Sequence, residues 1–191
     1  MGILERFHID VCGPFSVDLI EKRKYYVIFV DDFSRKCSIF FMHNKDQTFS
    51  KFCEFKALVE KELGKQLMTL RSNNGGEYIS NEFKNFCNKE GIRRELIAPH
   101  NPQQNWVVER KNRTIVGAAR AMLHDQGLPM HLWVEACNIV VYVQNHCPHR
   151  VLGMSTPKEA FTGKKLDVSH FKIFGSSVYV HVTKNTRKKL E

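Results

Sequence analysis

Apolar residues fall along this chain in two rhythms. Residues 4–12, then "YYVIFV" (25–30) and "SIFFM" (38–42), are short runs rich in β-branched and aromatic side chains, with the turn-like "DDFSRK" before the third. They predict three strands, and connections this short leave no room for a crossover helix, so the three form an antiparallel meander. From Asp46 the spacing lengthens: Phe49, Phe52, Cys53, Leu58, Val59 and Leu63 recur near a period of 3.6, and Gly64 stands where a C-terminal cap belongs. That segment is a helix.

"QLMTLRS" (66–72) reads as a buried strand and is followed by a short helix from Ser80 through Phe83, Phe86 and Cys87 to Gly91. "IRRELIAP" adds a strand that ends at Pro99. The polar "HNPQQNW" (100–106) leads into a long helix whose stripe is Val108, Ile115, Ala119, Met122 and Leu123, closed by Gly127. Pro129 opens the next helix, "HLWVEACNIVVYVQNHC", which stops at Pro148. In "STPKEAFTG", Thr156 takes the capping position, Pro157 the first turn and Gly163 the place beyond the end. "FKIFGSSVYVHV" alternates as a strand or hairpin would, before a basic tail. Strands, a helix, a strand and more helices predict an α/β domain with a mixed sheet. The expected division is a core over residues 1–150 and a C-terminal extension over 151–191.

Composition narrows the class. The 191 residues carry 29 Lys and Arg against 20 Asp and Glu, a formal charge of +9, which favours a polyanionic partner. Cys12, Cys37, Cys53, Cys87, Cys137 and Cys147 form no CxxC pair and several lie in apolar periodic segments, so they read as reduced thiols of an intracellular chain. No apolar run is long enough to cross a bilayer, and the first residues lack the apolar core of a signal peptide. No membrane partner is expected.

Three positions carry candidate chemistry. Asp10 lies in the first strand, Asn73 just past the fourth, and Glu109 at the start of the long helix, with 35 residues between the last two. Oxygen donors delivered from strand ends and a helix can converge although distant in sequence, and hard ligands of that kind suit Mg²⁺ or Mn²⁺. Asp31 and Asp32 read as turn formers, with Asp32 accepting backbone amides. "NNGG" reads as a tight turn, and "HCPH" (146–149), which lacks a second ligand pair, as a helix terminus.

Together "HIDVCGP", "YVIFVDDFSRK", "RSNNGGEY", "PQQNWVVERKNRTI" and "LWVEACN" resemble the integrase catalytic core of copia-type LTR retrotransposons, from about His8 to Val182. The resemblance implies an RNase H-like fold, a mixed five-stranded sheet flanked by helices. It implies an Asp, Asp, Glu triad that holds two Mg²⁺ or Mn²⁺ ions, with Asp10, Asn73 and Glu109 at the catalytic and metal positions. It also implies removal of terminal nucleotides from retrotransposon cDNA and joining of its 3′ ends to target DNA, in a homo-oligomer, in the nucleus after a cytoplasmic particle stage. The family's amino-terminal zinc-binding domain, with paired His and Cys, is expected to lie outside this chain, which begins almost at the first strand. DNA contacts are expected from Gln103, Gln104, Arg110, Lys111, Asn112 and Arg113.

Two residues depart from the pattern. Asn73 stands where the family carries Asp, which removes a negative charge from a site for dications. Trp106 stands where Gly is expected, three residues before Glu109, so the indole is expected to crowd the metal site or the approach of a DNA backbone that Gly would admit. The expectation is therefore an integrase core whose activity is impaired by Asn73 and Trp106; the alternative is a non-catalytic nucleic-acid-binding or oligomerising relic.

Overall fold

A computed structural model describes residues 2–15, 23–97, 106–177 and 179. A five-stranded sheet runs in the order β3-β2-β1-β4-β5. The first three strands, β1 (Phe7–Cys12), β2 (Tyr25–Asp31) and β3 (Cys37–Met42), pair antiparallel as the short connections require. Helix α1 (Thr48–Leu63) carries the chain to β4 (Thr69–Ser72), and α2 (Asn81–Lys89) carries it to β5 (Arg93–Leu96); both strands join the sheet parallel. Then follow α3 (Trp106–Asp125), α4 (Trp133–His146) and the short α5 (Pro157–Thr162).

Helices cover both faces of the sheet. On one side Phe7, Ile9, Val27 and Phe29 pack with Phe52, Phe55 and Phe83 of α1 and α2 and with Phe161 of α5. On the other, Tyr26, Ile28 and Val30 pack with Val108, Ile115 and Ala119 of α3 and with Trp133, Cys137 and Val140 of α4. Successive β2 residues therefore enter opposite cores, which is why "YYVIFV" is a continuous apolar run with no polar alternation. On the sheet's outer strand, Asn145 of α4 closes the β3 backbone, accepting from the Cys37 N–H (2.9 Å) and donating to its carbonyl (2.7 Å).

The helix ends follow the chemistry of their residues. Gly64 caps α1 at φ 63°, and the Ser80 hydroxyl accepts the Phe83 N–H at the start of α2. Around α5, Thr156 and Glu159 form a reciprocal capping box, with Pro157 in the first turn and Gly163 at φ 70°. All six cysteines are free thiols. Among the described residues, no helix is long and apolar enough to cross a membrane.

Four expectations change. The first strand begins at Phe7, not residue 4, because Leu4 has φ 66° and its N–H turns onto Asp31 Oδ1 (3.2 Å). The fourth begins at Thr69 because the Leu67 N–H is held by Glu60 of α1 at 2.8 Å. Asp31, not Asp32, is the turn former: buried, it accepts the Ser34 N–H (2.7 Å) and hydroxyl (2.6 Å), whereas Asp32 pairs with Arg35, His8 and Arg6. Residues 171–177 form no strand; Ile173 is exposed and accepts the Ser176 N–H across a turn, and Phe171 packs on Tyr142 and His146. Tyr179, exposed, is in no strand; the other residues of that expected strand and the basic tail lie outside the described residues, as does Pro99.

Candidate active site

Parallel pairing of β1 with β4 sets Phe7 opposite Leu70 and His8 opposite Arg71, and the same register continued places Asp10 level with Asn73. The two side chains meet directly. Asn73 Nδ2 donates to Asp10 Oδ1 at 3.3 Å, while Asn112 Nδ2 donates to Asp10 Oδ2 at 2.9 Å. Neither amide is free to turn over. The Asn73 carbonyl oxygen accepts the Gly75 N–H (2.8 Å), and that of Asn112 accepts the buried Tyr26 hydroxyl (3.0 Å). With each oxygen committed to a donor, only the NH₂ groups are left to face the carboxylate.

Burial raises the Asp10 pKa to about 6, with the nearby charges of Glu109 and Glu77 adding to the rise and hydrogen bonds from the Val11 backbone and Asn112 opposing it. Two further acids thus act on Asp10 at this end of the sheet. Glu109 lies in the first turn of α3, where a negative charge also complements the helix dipole. Glu77, in the 3₁₀ turn Gly76–Tyr78, is nearly buried and stands 3.9 Å from Lys45. "NNGG" is a tight turn closed by the Asn73 side chain. A Cβ at Gly75 would come within 2.7 Å of Glu77 Oε2 and 2.9 Å of Asn73 Oδ1, so those side-chain ends would have to shift to admit one.

Mg²⁺ and Mn²⁺ take oxygen ligands, and each Asp10 oxygen, though it accepts one amide N–H, keeps a lone pair for an ion; position 73 turns only its NH₂ toward Asp10, its oxygen being held by the Gly75 N–H. Among the described residues, no group of three or more His, Cys, Asp or Glu side chains is placed to hold a metal. That includes "HCPH": His146 ends α4, and His149 accepts the Val151 N–H to cap the turn Arg150–Leu152.

Trp106 does not crowd Asp10. It is the first residue of α3, 56% exposed, and the Arg110 guanidinium one turn on lies 5.1 Å from its ring. The indole lines a cavity with Arg110, Lys111 and residues beyond the α4 C-terminus, a set that includes neither Asp10 nor Asn73. The i,i+4 contact to Arg110 has prevailed over the i,i+3 relation to Glu109.

Of the expected DNA contacts, Arg110 and Arg113 are exposed, and Lys111 Nζ donates to Gln144 at 3.0 Å. Asn112 is not a surface contact; it is buried on the α3 stripe between Asp10 and Tyr26. Gln103 and Gln104 lie outside the described residues. Sequence reasoning missed Glu77, Tyr26 and the inward role of Asn112. The last had a signal: position 112 falls four residues after Val108 and three before Ile115, on the apolar stripe.

Residues 4–102 match the family described as the integrase core domain. The chain is 44% identical over its full length to the retrovirus-related Pol polyprotein from transposon TNT 1-94 of Nicotiana tabacum, and 33% identical over 98% of its length to that from transposon RE2 of Arabidopsis thaliana. It spans 14% and 13% of those polyproteins. The structure resembles the HTLV-2 integrase catalytic core domain in complex with magnesium (TM-score 0.63, 22% identity, 84% of this chain and 98% of that one). It also resembles a chain of the simian T-cell lymphotropic virus intasome in complex with PP2A regulatory subunit B56 gamma (TM-score 0.69, 18% identity, 95% of this chain and 61% of that one). The mixed five-stranded sheet flanked by helices is the RNase H-like fold of these cores, and the chain belongs to the integrase core domain family, as the core of a copia-type retrotransposon Pol polyprotein.

Proposed function

We propose that this chain is the DNA-integrating core of a retrotransposon Pol polyprotein in which the cation site has been disabled by a single amide. One observation carries the reading: Asn73 turns its NH₂, not an oxygen, toward Asp10, and the Gly75 N–H holds it there. A carboxylate at position 73 would offer an oxygen in place of that donor while still accepting from Gly75. Asp10, position 73 and Glu109 would then be the residues that hold Mg²⁺ or Mn²⁺, the ion supplying charge neutralisation for phosphoryl transfer. The magnesium complex of the HTLV-2 core supports a dication for the fold. The expected partners are retrotransposon cDNA ends and target DNA, the expected state a homo-oligomer, and the expected compartment the nucleus.

The test is Mn²⁺-dependent phosphodiester cleavage of an oligonucleotide duplex by the chain and by Asn73→Asp. The chain as it stands should remain at background. Asn73→Asp should rise above it without any change at Trp106, because the indole stands on Arg110 and away from Asp10. Equal activity of the two proteins would refute the reading. The exposed Arg110 and Arg113 favour a second reading, a core that only binds nucleic acid. It predicts salt-sensitive duplex binding by both proteins and no cleavage by either.

A further inference from the structure

A second concavity lies on the other flank of α3. Side chains 100° apart along the helix place Glu109 on one side of the buried stripe of Val108, Asn112 and Ile115 and Lys111 on the other. On the Lys111 side, a cavity of about 650 Å³ opens between the start of α3, the β2–β3 turn at Arg35 and the segment after α4 that carries His149 and Arg150. Among the described residues, its wall includes Arg35, Arg110, Lys111 and Arg150 and no acidic side chain. Burial, then the charges of Lys111, Arg35 and Arg110, hold the His149 imidazole below its ordinary range, as convergence of those cations on one space requires. Arg35 gives one nitrogen to Asp32 at 3.0 Å, but its Nε–H is buried with no hydrogen-bond partner among the described residues. Arg110 covers part of the Trp106 ring, which at 56% exposure keeps area for another planar group.

The combination selects the ligand. Four cations that share one carboxylate among the described residues, Asp32 at Arg35, call for a polyanion, and a rigid exposed indole backed by a guanidinium calls for a flat ring to stack on it. An acidic peptide satisfies the first requirement and leaves the second unused. The cavity volume falls in the ~300–1,000 Å³ range of sites that enclose a small ligand. A free base with its phosphates fits such a space, whereas a base inside a duplex, already stacked on both faces, has no ring to present.

We propose that this cavity is a second nucleic-acid site that grips an unpaired DNA strand, stacking a base on Trp106 and holding backbone phosphates with Arg35, Arg110 and Arg150. The choice of DNA rests on the function proposed above. Binding without metal does not, so the two ideas fail separately.

The experiment is fluorescence anisotropy of labelled short oligo(dT) titrated with the protein in EDTA, read alongside quenching of tryptophan emission. A DNA hairpin duplex and a poly-glutamate peptide of matched charge serve as competitors. Oligo(dT) should quench Trp106, since the other tryptophan, Trp133, is 4% exposed. Trp106→Gly should weaken oligo(dT) binding by about 5- to 100-fold, while Trp106→Phe keeps most of it. Arg150→Gln, outside any helix interior, should lower the slope of log affinity against log salt by about one phosphate equivalent. Circular dichroism establishes that each variant is folded. Absent binding, competition by the peptide as strong as by oligo(dT), or affinity indifferent to Trp106→Gly would each overturn the assignment.

Discussion

Replacing Asn73 with Asp separates the electrostatics of the site from its shape. The Gly75 N–H still finds an acceptor, so the turn survives, and only the atom facing Asp10 changes from donor to acceptor. Losing a hydrogen bond to a charged group costs roughly 1.5–3 kcal/mol. The new carboxylate would stand about 3.3 Å from Asp10 Oδ1, where repulsion at an effective dielectric of 20 is about 5 kcal/mol. That figure is a ceiling, because two such acids relieve the repulsion by sharing a proton. A loss of about 3–5 kcal/mol is therefore expected in EDTA near neutral pH, which for a chain of this size lowers the melting temperature by about 6–20 °C. Mg²⁺ should return much of it to the variant, since a ligand at 100 times its Kd stabilises by about 2.7 kcal/mol, and should leave the parent unmoved. Differential scanning calorimetry of both proteins, with and without Mg²⁺, reads all four values. Equal upward shifts in Mg²⁺, or a variant as stable as the parent in EDTA, would refute the reasoning.

Other outcomes follow from the same geometry. The folded Asp10 pKa of about 6 exceeds its ordinary 3.8, so the stability it contributes is fully present below pH 3.8 and is lost as pH rises through 6. Urea unfolding of the parent should fall relative to Asp10→Asn by about 2 kcal/mol between pH 4 and pH 7, and a constant difference would contradict the burial argument. Asn112→Ala strips partners from the Tyr26 hydroxyl and from Asp10, both largely buried; urea unfolding should show a loss of about 2–4 kcal/mol, and a loss below ~1 kcal/mol would count against the network. Gly75→Ala should cost about 1–3 kcal/mol by the same measurement, because its Cβ meets Glu77 and Asn73, whereas Gly76→Ala, with nothing within 4 Å, should change stability by less than ~0.5 kcal/mol.

What could be read from the sequence was what local rules determine. The β2 run, the α1 and α3 periodicities and the Thr156–Gly163 capping pattern each depend on neighbours in the chain, and each element forms. Asp10 and Asn73 were legible because strand ends bring them level. What stayed hidden depends on partners far along the chain or on a choice between equivalent rotations. Which atom Asn73 shows to Asp10 is decided by one backbone N–H two residues on. Whether Trp106 turns to Glu109 or to Arg110 is decided by a stacking contact that spacing alone leaves open. Asp31 forms the turn as expected because Ser34 reaches it, while Asp32 does not accept the expected backbone amides because Arg6, just before β1, and His8, within it, take its carboxylate. Alternation over residues 171–177 had the pattern of a strand, but the segment lies against α4, with Phe171 on Tyr142 and His146, and pairs with no strand among the described residues.

The proposed function requires that the Asn73 NH₂ facing Asp10 keep a dication out of the site. Electron paramagnetic resonance of free Mn²⁺, titrated with the protein at pH 7.5, tests it most directly. The parent should leave the free-ion signal unchanged up to millimolar Mn²⁺, while Asn73→Asp should remove it stoichiometrically. Uptake of Mn²⁺ by the parent, lost on Asp10→Asn, would contradict it.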